Sequence, residues 1–182
     1  MLMHKNSLKR GFTIIELIVA ITIIAILASI TLVTYNGAQG RARDSSRRTD
    51  IANIVKALEF YDEDNGQYPN TGTSGSMING SWYNSGDSSW TAFTSMMSSY
   101  MDKVPTDPTN TTSLSAINAK GYTYAYYGNR SSYCGAAVGQ MYILVYRFEA
   151  SSKEQFTDGS CPSTELGSGY YNGGANFYRV VR

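Results

Sequence analysis

Few side chains in this sequence are equipped for chemistry. There is one histidine, His4, and there are two cysteines, Cys134 and Cys161. If the first residues are removed, the working protein has no histidine, which excludes Ser-His-Asp and Cys-His machinery. Two thiols cannot build a structural zinc site unaided. An even pair in an exported domain reads as one disulfide, Cys134–Cys161, worth about 3 kcal/mol on the chain-entropy model. Two buried free thiols are the other reading. Among the carboxylates one is out of place: Glu16 lies in the otherwise uncharged apolar run Phe12–Val33. An acid at the centre of a spanning helix costs about 2.5–3.5 kcal/mol, and less near the interface. Glu16 is therefore either tolerated near an interface or kept for a cationic partner.

The element carrying Glu16 is long. As a helix, Phe12–Val33 spans about 33 Å, enough to cross a bilayer. Lys5, Lys9 and Arg10 precede it, the basic flank expected on the cytoplasmic side. Arg41, Arg43, Arg47 and Arg48 follow it, interleaved with Asp44 and Asp50, so orientation rests on position as well as number. A secretory signal cleaved near Ala38–Gly40 would need a shorter apolar core. A permanent anchor fits the length and leaves Glu16 unexplained. A third reading places cleavage before the run, after Gly11.

The string "KRGFTIIE", from Lys9 to Glu16, favours the third reading. It resembles the amino terminus of type IV pilin and pseudopilin precursors: a basic leader ending in Gly, then Phe-Thr-x-x-Glu and an apolar helix. Ile15 stands where that family usually has Leu. The resemblance implies that a prepilin peptidase cuts between Gly11 and Phe12 and methylates the new amino group of Phe12. It also implies that the Glu16 carboxylate pairs with the Phe12 amine of a neighbouring subunit and so sets the axial stagger of a filament. In a low-dielectric filament core, leaving either charge uncompensated costs several kcal/mol. Many members carry a helix-loosening proline in the apolar half, whereas the first proline here is Pro69.

Helical patterning continues beyond the apolar run. Ile51, Ile54, Val55, Leu58 and Tyr61 form one stripe, with Lys56, Glu59 and Glu63 off it. Asp44 and Arg48 stand at a favourable i,i+4 spacing. The charged stretch reads as a solvated helix face or an intersubunit charge belt, with Gly37 and Gly40, or the hydroxyl residues Ser29, Thr31 and Thr34, as candidate points of unwinding. Asp64–Gly66 reads as a helix end rather than a calcium loop, because Thr73 stands near where that loop needs Glu. The sequence thus predicts one helix from Phe12 to Asn65, followed by Gly/Ser/Asn-rich loops to Ser89. A short helix then places Trp90, Phe93, Met97, Met101 and Val104 on one side, with Ser88 or Ser89 as N-cap. Three strands are expected within Gly121–Tyr127, Met141–Phe148 and Asn176–Val181, forming an antiparallel meander over the helix stripe. The fold class is α+β, the pilin fold. Its parts are a leader (1–11), a transmembrane or filament-core half-helix (12–35), an amphipathic half-helix (36–65) and a globular head (66–182).

Net charge is +1 and charged residues make up 16% of the chain, so no large basic surface points to duplex nucleic acid. The Arg cluster leaves nucleic acid open as a partner without indicating it. The resemblance implies a non-enzymatic structural subunit without cofactor or resident metal. The first expectation is a type IV pilus subunit: a single-pass inner-membrane precursor that becomes an extracellular homo-oligomeric filament. Its implied partners are the prepilin peptidase and an inner-membrane assembly platform. Adhesion, twitching motility and DNA uptake are the roles that family suggests. The alternative is a pseudopilin of a type II secretion system, favoured by the order of "VPTDP" and "GYTYAY" and carrying a weak option of calcium at Asp102 and Asp107. A membrane-anchored sugar-binding module built on Trp82 and Trp90 ranks third. Asn79, Asn110 and Asn129 fit the short N-x-S/T pattern.

Overall fold

The computed structural model describes residues 11–71, 82–111, 122–129, 135–150 and 177–181. The chain divides into two compact units, residues 1–39 and 40–182. Helix α1 spans Ile14–Asn65 and remains helical at Gly37 and Gly40, so neither expected weak point breaks it.

In the first unit α1 is apolar on every side, and its large side chains are exposed in the isolated chain, from Ile14 (79%) to Ile30 (62%). Two hydroxyls within it are satisfied by the helix itself. Thr22 Oγ1 donates to the Val19 carbonyl at 2.8 Å and Ser29 Oγ to that of Ala25 at 2.7 Å. Among the described residues no helix is long and apolar enough to cross a membrane.

In the second unit α1 lays the expected stripe on a sheet. Ile51, Ile54 and Leu58 are buried, while Val55 and Tyr61 pack at the edge of the same core. Asn65 closes the helix, and Gly66 follows with φ +68°, its N–H donating to the Asp62 carbonyl at 2.7 Å. A left-handed residue after the last turn is cheap only for glycine.

The sheet contains β1 (Tyr83–Asn84), β2 (Ala125–Gly128), β3 (Tyr142–Arg147) and β4 (Phe177–Val181), antiparallel and in that order. Register pairs Tyr83 with Tyr126, Ala125 with Val145, and Ile143 with Val181. The three expected strands are present, although β2 begins three residues after Tyr122. The fourth, β1, lies in a stretch that composition marks as loop. Tyr124, Tyr126, Tyr142, Leu144 and Tyr146 face the α1 core, while Ala125, Ile143 and Val145 on the other face are buried as well.

Helix α2 (Trp90–Met97) adds Trp90, Phe93 and Met97 to the core and ends earlier than its apolar pattern. The Tyr100 and Met101 N–H groups bond back to the Met97 carbonyl, and Val104 reaches the core from the following loop. Ser89 occupies the N-cap position without capping. Its backbone is already helical, and its hydroxyl accepts the Asn84 N–H at 2.9 Å instead. Phe93 stacks on Tyr126 at 4.6 Å and Tyr126 on Tyr142 at 5.9 Å, so tyrosines of the expected strands build the interior.

Candidate functional site

Gly11, Phe12 and Thr13 precede α1 in non-helical conformation, and Phe12 is 91% exposed. Thr13 is the residue that stops the helix from starting earlier. Its N–H and its hydroxyl both donate to Glu16 Oε2 at 2.8 Å, and the Glu16 N–H donates to Thr13 Oγ1 at 3.3 Å. This reciprocal arrangement is a capping box, which satisfies donors that a helix start leaves unpaired. Glu16 therefore has a partner within its own chain, and its other oxygen remains for a further donor. Thr13 was not among the expected site residues, although Thr-x-x-Glu ahead of an apolar run is a known start signal.

A second constellation lies in the head. Arg47, expected on a solvated face, is fully buried. Its Nε and Nη2 donate to Asp107 at 2.7 and 3.0 Å, its Nη1 to Asp44 Oδ1 at 2.8 Å, and Nη2 also to Thr109 Oγ1 at 3.1 Å. Nη1 lies 2.8 Å from Glu149 Oε1. Arg43 grips the same glutamate with Nε at 2.7 Å and with Nη2. Asp44 accepts the backbone N–H groups of Glu149 and Ala150, both at 2.8 Å, and Asp107 accepts those of Thr109 and Asn110. The Asp44–Arg48 pair expected from spacing is thus replaced by Asp44–Arg47, and the Arg48 guanidinium lies 4.8 Å from the Phe148 ring centre.

Burial by itself would lower the Arg47 pKa, but the hydrogen bonds it donates to Asp107, Glu149 and Asp44 carry it above the ordinary value. The Arg43 hydrogen bond, helped by Arg47 and opposed by burial, holds the Glu149 carboxyl below its usual range. Burial raises the Asp50 carboxyl, against a 2.8 Å hydrogen bond donated by Tyr124 Oη. The network clamps α1 to the bend that follows β3 and to the loop after α2. Its acids are engaged with cations and amides.

Several expected features fall elsewhere. Asp107 is engaged with Arg47 and is not open to a cation, while Asp102 is exposed. Among the described residues no group of three or more His, Cys, Asp or Glu is placed to hold a metal. Trp90 is core, 4.8 Å from Phe93, so it cannot share a sugar platform with Trp82, which packs on Tyr127 at 5.2 Å. The Asn110 amide is bonded to Ser85, and the Asn129 amide to Ala137 and Met141. Cys134, Cys161 and Asn79 lie outside the described residues.

Comparison with known proteins places these features. A prokaryotic N-terminal methylation motif matches residues 6–32, and the type II secretion system (T2SS) protein G family matches residues 34–134. The type II secretion system core protein G of Escherichia coli (strain K12) is 36% identical over 69 residues, which is 38% of this chain and 48% of that protein. Its counterpart in Pectobacterium carotovorum is 36% identical over 63 residues, 35% of this chain and 40% of that one. The type IV wide pilus major component of Thermus thermophilus is 41% identical over 59 residues, 32% of this chain and 45% of that protein. The chain thus spans less than half the length of these curated relatives. No solved structure matches it significantly. With a methylation motif on the capped apolar helix and a family match across more than half its length, the chain belongs to the type II secretion system protein G family, a branch of the type IV pilin-like proteins.

Proposed function

We propose that this chain is a structural, non-enzymatic pseudopilin subunit. It is cut between Gly11 and Phe12, methylated at Phe12 and polymerised through α1 into a filament of a type II secretion system. The observation that carries this reading is the apolar, uncovered first part of α1 behind the methylation motif. Exposed apolar side chains from Phe12 to Ile30 demand a cover, and membrane lipid before assembly and neighbouring helices after it both supply one. The motif supports processing by a prepilin peptidase and filament assembly through an inner-membrane platform. The protein G relatives favour the pseudopilin over the surface pilus that stands as the first expectation from the sequence. The surface-pilus reading retains one specific support, the 41% identity to the Thermus thermophilus pilus component. The Cys134–Cys161 disulfide is part of the proposal for the exported head.

In the assembled filament the second oxygen of Glu16 accepts from the Phe12 amine of a neighbour while Thr13 holds the first. The test is to express the full chain with its assembly system and analyse it by mass spectrometry and electron microscopy. The expected result is a subunit beginning at methylated Phe12 within filaments, with Glu16→Ala still inserting but assembling poorly. Filaments of chains that retain residues 1–11, or full filament yield from Glu16→Ala, would overturn the reading.

A further inference from the structure

Helix α1 closes on Asn65 with Gly66 behind it, and both residues are exposed. An Asn side chain followed by Gly is open to attack by its own backbone, because no Cβ shields the next nitrogen. Here the space where a Gly66 Cβ would stand is empty. In that reaction the Gly66 nitrogen bonds to Asn65 Cγ and the Cγ–Nδ2 bond breaks. Ammonia leaves with the proton that Gly66 gives up, and water then opens the cyclic imide to aspartate or isoaspartate. The attack needs an unengaged Gly66 N–H and a carboxamide turned toward it.

The folded head withholds both. The Gly66 N–H donates to the Asp62 carbonyl at 2.7 Å. Asn65 Nδ2 donates to the Tyr61 carbonyl at 2.8 Å and to Tyr100 Oη at 2.9 Å. Tyr100 is held in turn by its ring on Tyr61, with 5.3 Å between centres, and by its N–H on the Met97 carbonyl at 2.9 Å. Gln140 Nε2 fixes the Gly66 carbonyl at 3.1 Å. We infer that Asn65–Gly66 is a one-way modification site, with water as its only co-reactant, gated by the hydrogen bond from Asn65 to Tyr100. The amide persists while the corner between α1 and the turn after α2 is closed, and it converts when that corner opens locally.

The product works against closure. Tyr100 can turn its hydroxyl to donate to a new carboxylate, but the Tyr61 carbonyl loses its donor and faces a negative oxygen. The added charge joins Asp62, Glu63 and Asp64 at the negative end of the helix dipole, where the last turn has no basic residue. An isoaspartate also lengthens the backbone just before the left-handed Gly66. A first opening is therefore recorded and makes the next one easier.

This site lies in the head and does not rest on the filament reading. The test follows ammonia loss and isoaspartate at residue 65 by peptide mass spectrometry, in the full-length chain incubated in detergent near neutral pH. The same chain unfolded in denaturant supplies the unrestrained rate. Folded wild type is expected to convert at least about tenfold more slowly than the unfolded chain, because the reactive pose requires local opening. Tyr100→Phe keeps the ring and removes the gate, and should speed conversion about threefold or more, what losing one net hydrogen bond allows. The other Asn-Gly pairs, at Asn36, Asn79 and Asn172, should keep their wild-type rates, which separates a local gate from general unfolding. Asn65→Asp should speed hydrogen exchange of the Gly66 N–H. Equal rates in folded and unfolded wild type, a wild-type rate in Tyr100→Phe, a parallel rise at all four pairs, or unchanged exchange in Asn65→Asp would overturn the inference.

Discussion

Replacing Arg47 by methionine removes the cation at the centre of the head while keeping much of its volume. Arg47 is fully buried and directs five hydrogen-bond or ion-pair contacts at Asp107, Asp44, Glu149 and Thr109. Without it, the Asp107 side chain, itself without solvent access, keeps only the Thr109 and Asn110 N–H groups, and Asp44 keeps only those of Glu149 and Ala150. Removing one partner of a buried pair and stranding the other typically costs about 3–5 kcal/mol. The surviving amides place the expected loss toward the lower end, about 3 kcal/mol, or roughly 6–12 °C in Tm for a domain of this size. Arg47→Lys keeps the charge but loses the fork that serves Asp107 twice, and should fall between the two. The assay is denaturant unfolding of the full-length protein in detergent, followed by near-ultraviolet circular dichroism of the aromatic core. A loss below about 1 kcal/mol for Arg47→Met, or equal losses for Met and Lys, would refute the claim that this cation holds the head together.

Three further outcomes are expected. The Glu149 carboxyl has a depressed folded-state pKa, so its contribution is present above the ordinary carboxylate value and is lost as pH falls through the folded one. Unfolding measured at pH 7 and pH 3 should therefore show a smaller pH dependence in Glu149→Gln. Asp50, whose pKa is raised, acts in the opposite sense, and Asp50→Asn should help more at pH 7 than at pH 3. Thr13→Val should weaken the first turn of α1 by about 1 kcal/mol and speed amide exchange there, with Thr13→Ser retaining protection. At Gly128 an added methyl would run into the Pro69 carbonyl, which also accepts the Tyr126 hydroxyl at 2.7 Å, so Gly128→Ala should destabilise the head by about 2 kcal/mol or more in the same unfolding assay.

The features legible in the sequence were those with a strong period. The Ile51-to-Tyr61 stripe, the end of α1 at Asn65 and the strands containing Ala125–Gly128 and Tyr142–Arg147 follow from apolar spacing and from where Gly and Asn stand. The rest was concealed because its residues are polar or its elements short. Gly40, Asp44 and Arg47 continue the buried face of α1 toward its amino-terminal side, but a row containing Asp and Arg reads as wet unless its partners are known. Those partners, Asp107 and Glu149, are distant in the chain, and no local spacing announces them. Strand β1 is two residues long and is held by pairing with β2, not by its own composition. Ser89 illustrates the converse: the right residue at a helix start, diverted because a buried amide of Asn84 needed its oxygen more than the helix did. At the leader junction the motif marked Gly11, Phe12 and Glu16, yet the local role of Glu16 became visible only once Thr13 was seen returning its hydrogen bonds.

The clamp around Arg47 also bears on what happens under load. A pull delivered along the second unit's part of α1 reaches Arg43, Asp44 and Arg47 early, and these residues grip Glu149 and Ala150 in the bend that directly follows β3. The tug is shared at once between the helix and a central strand, and peeling α1 from the sheet must break several charged bonds together. A fibre built from such subunits would stretch little before it ruptured.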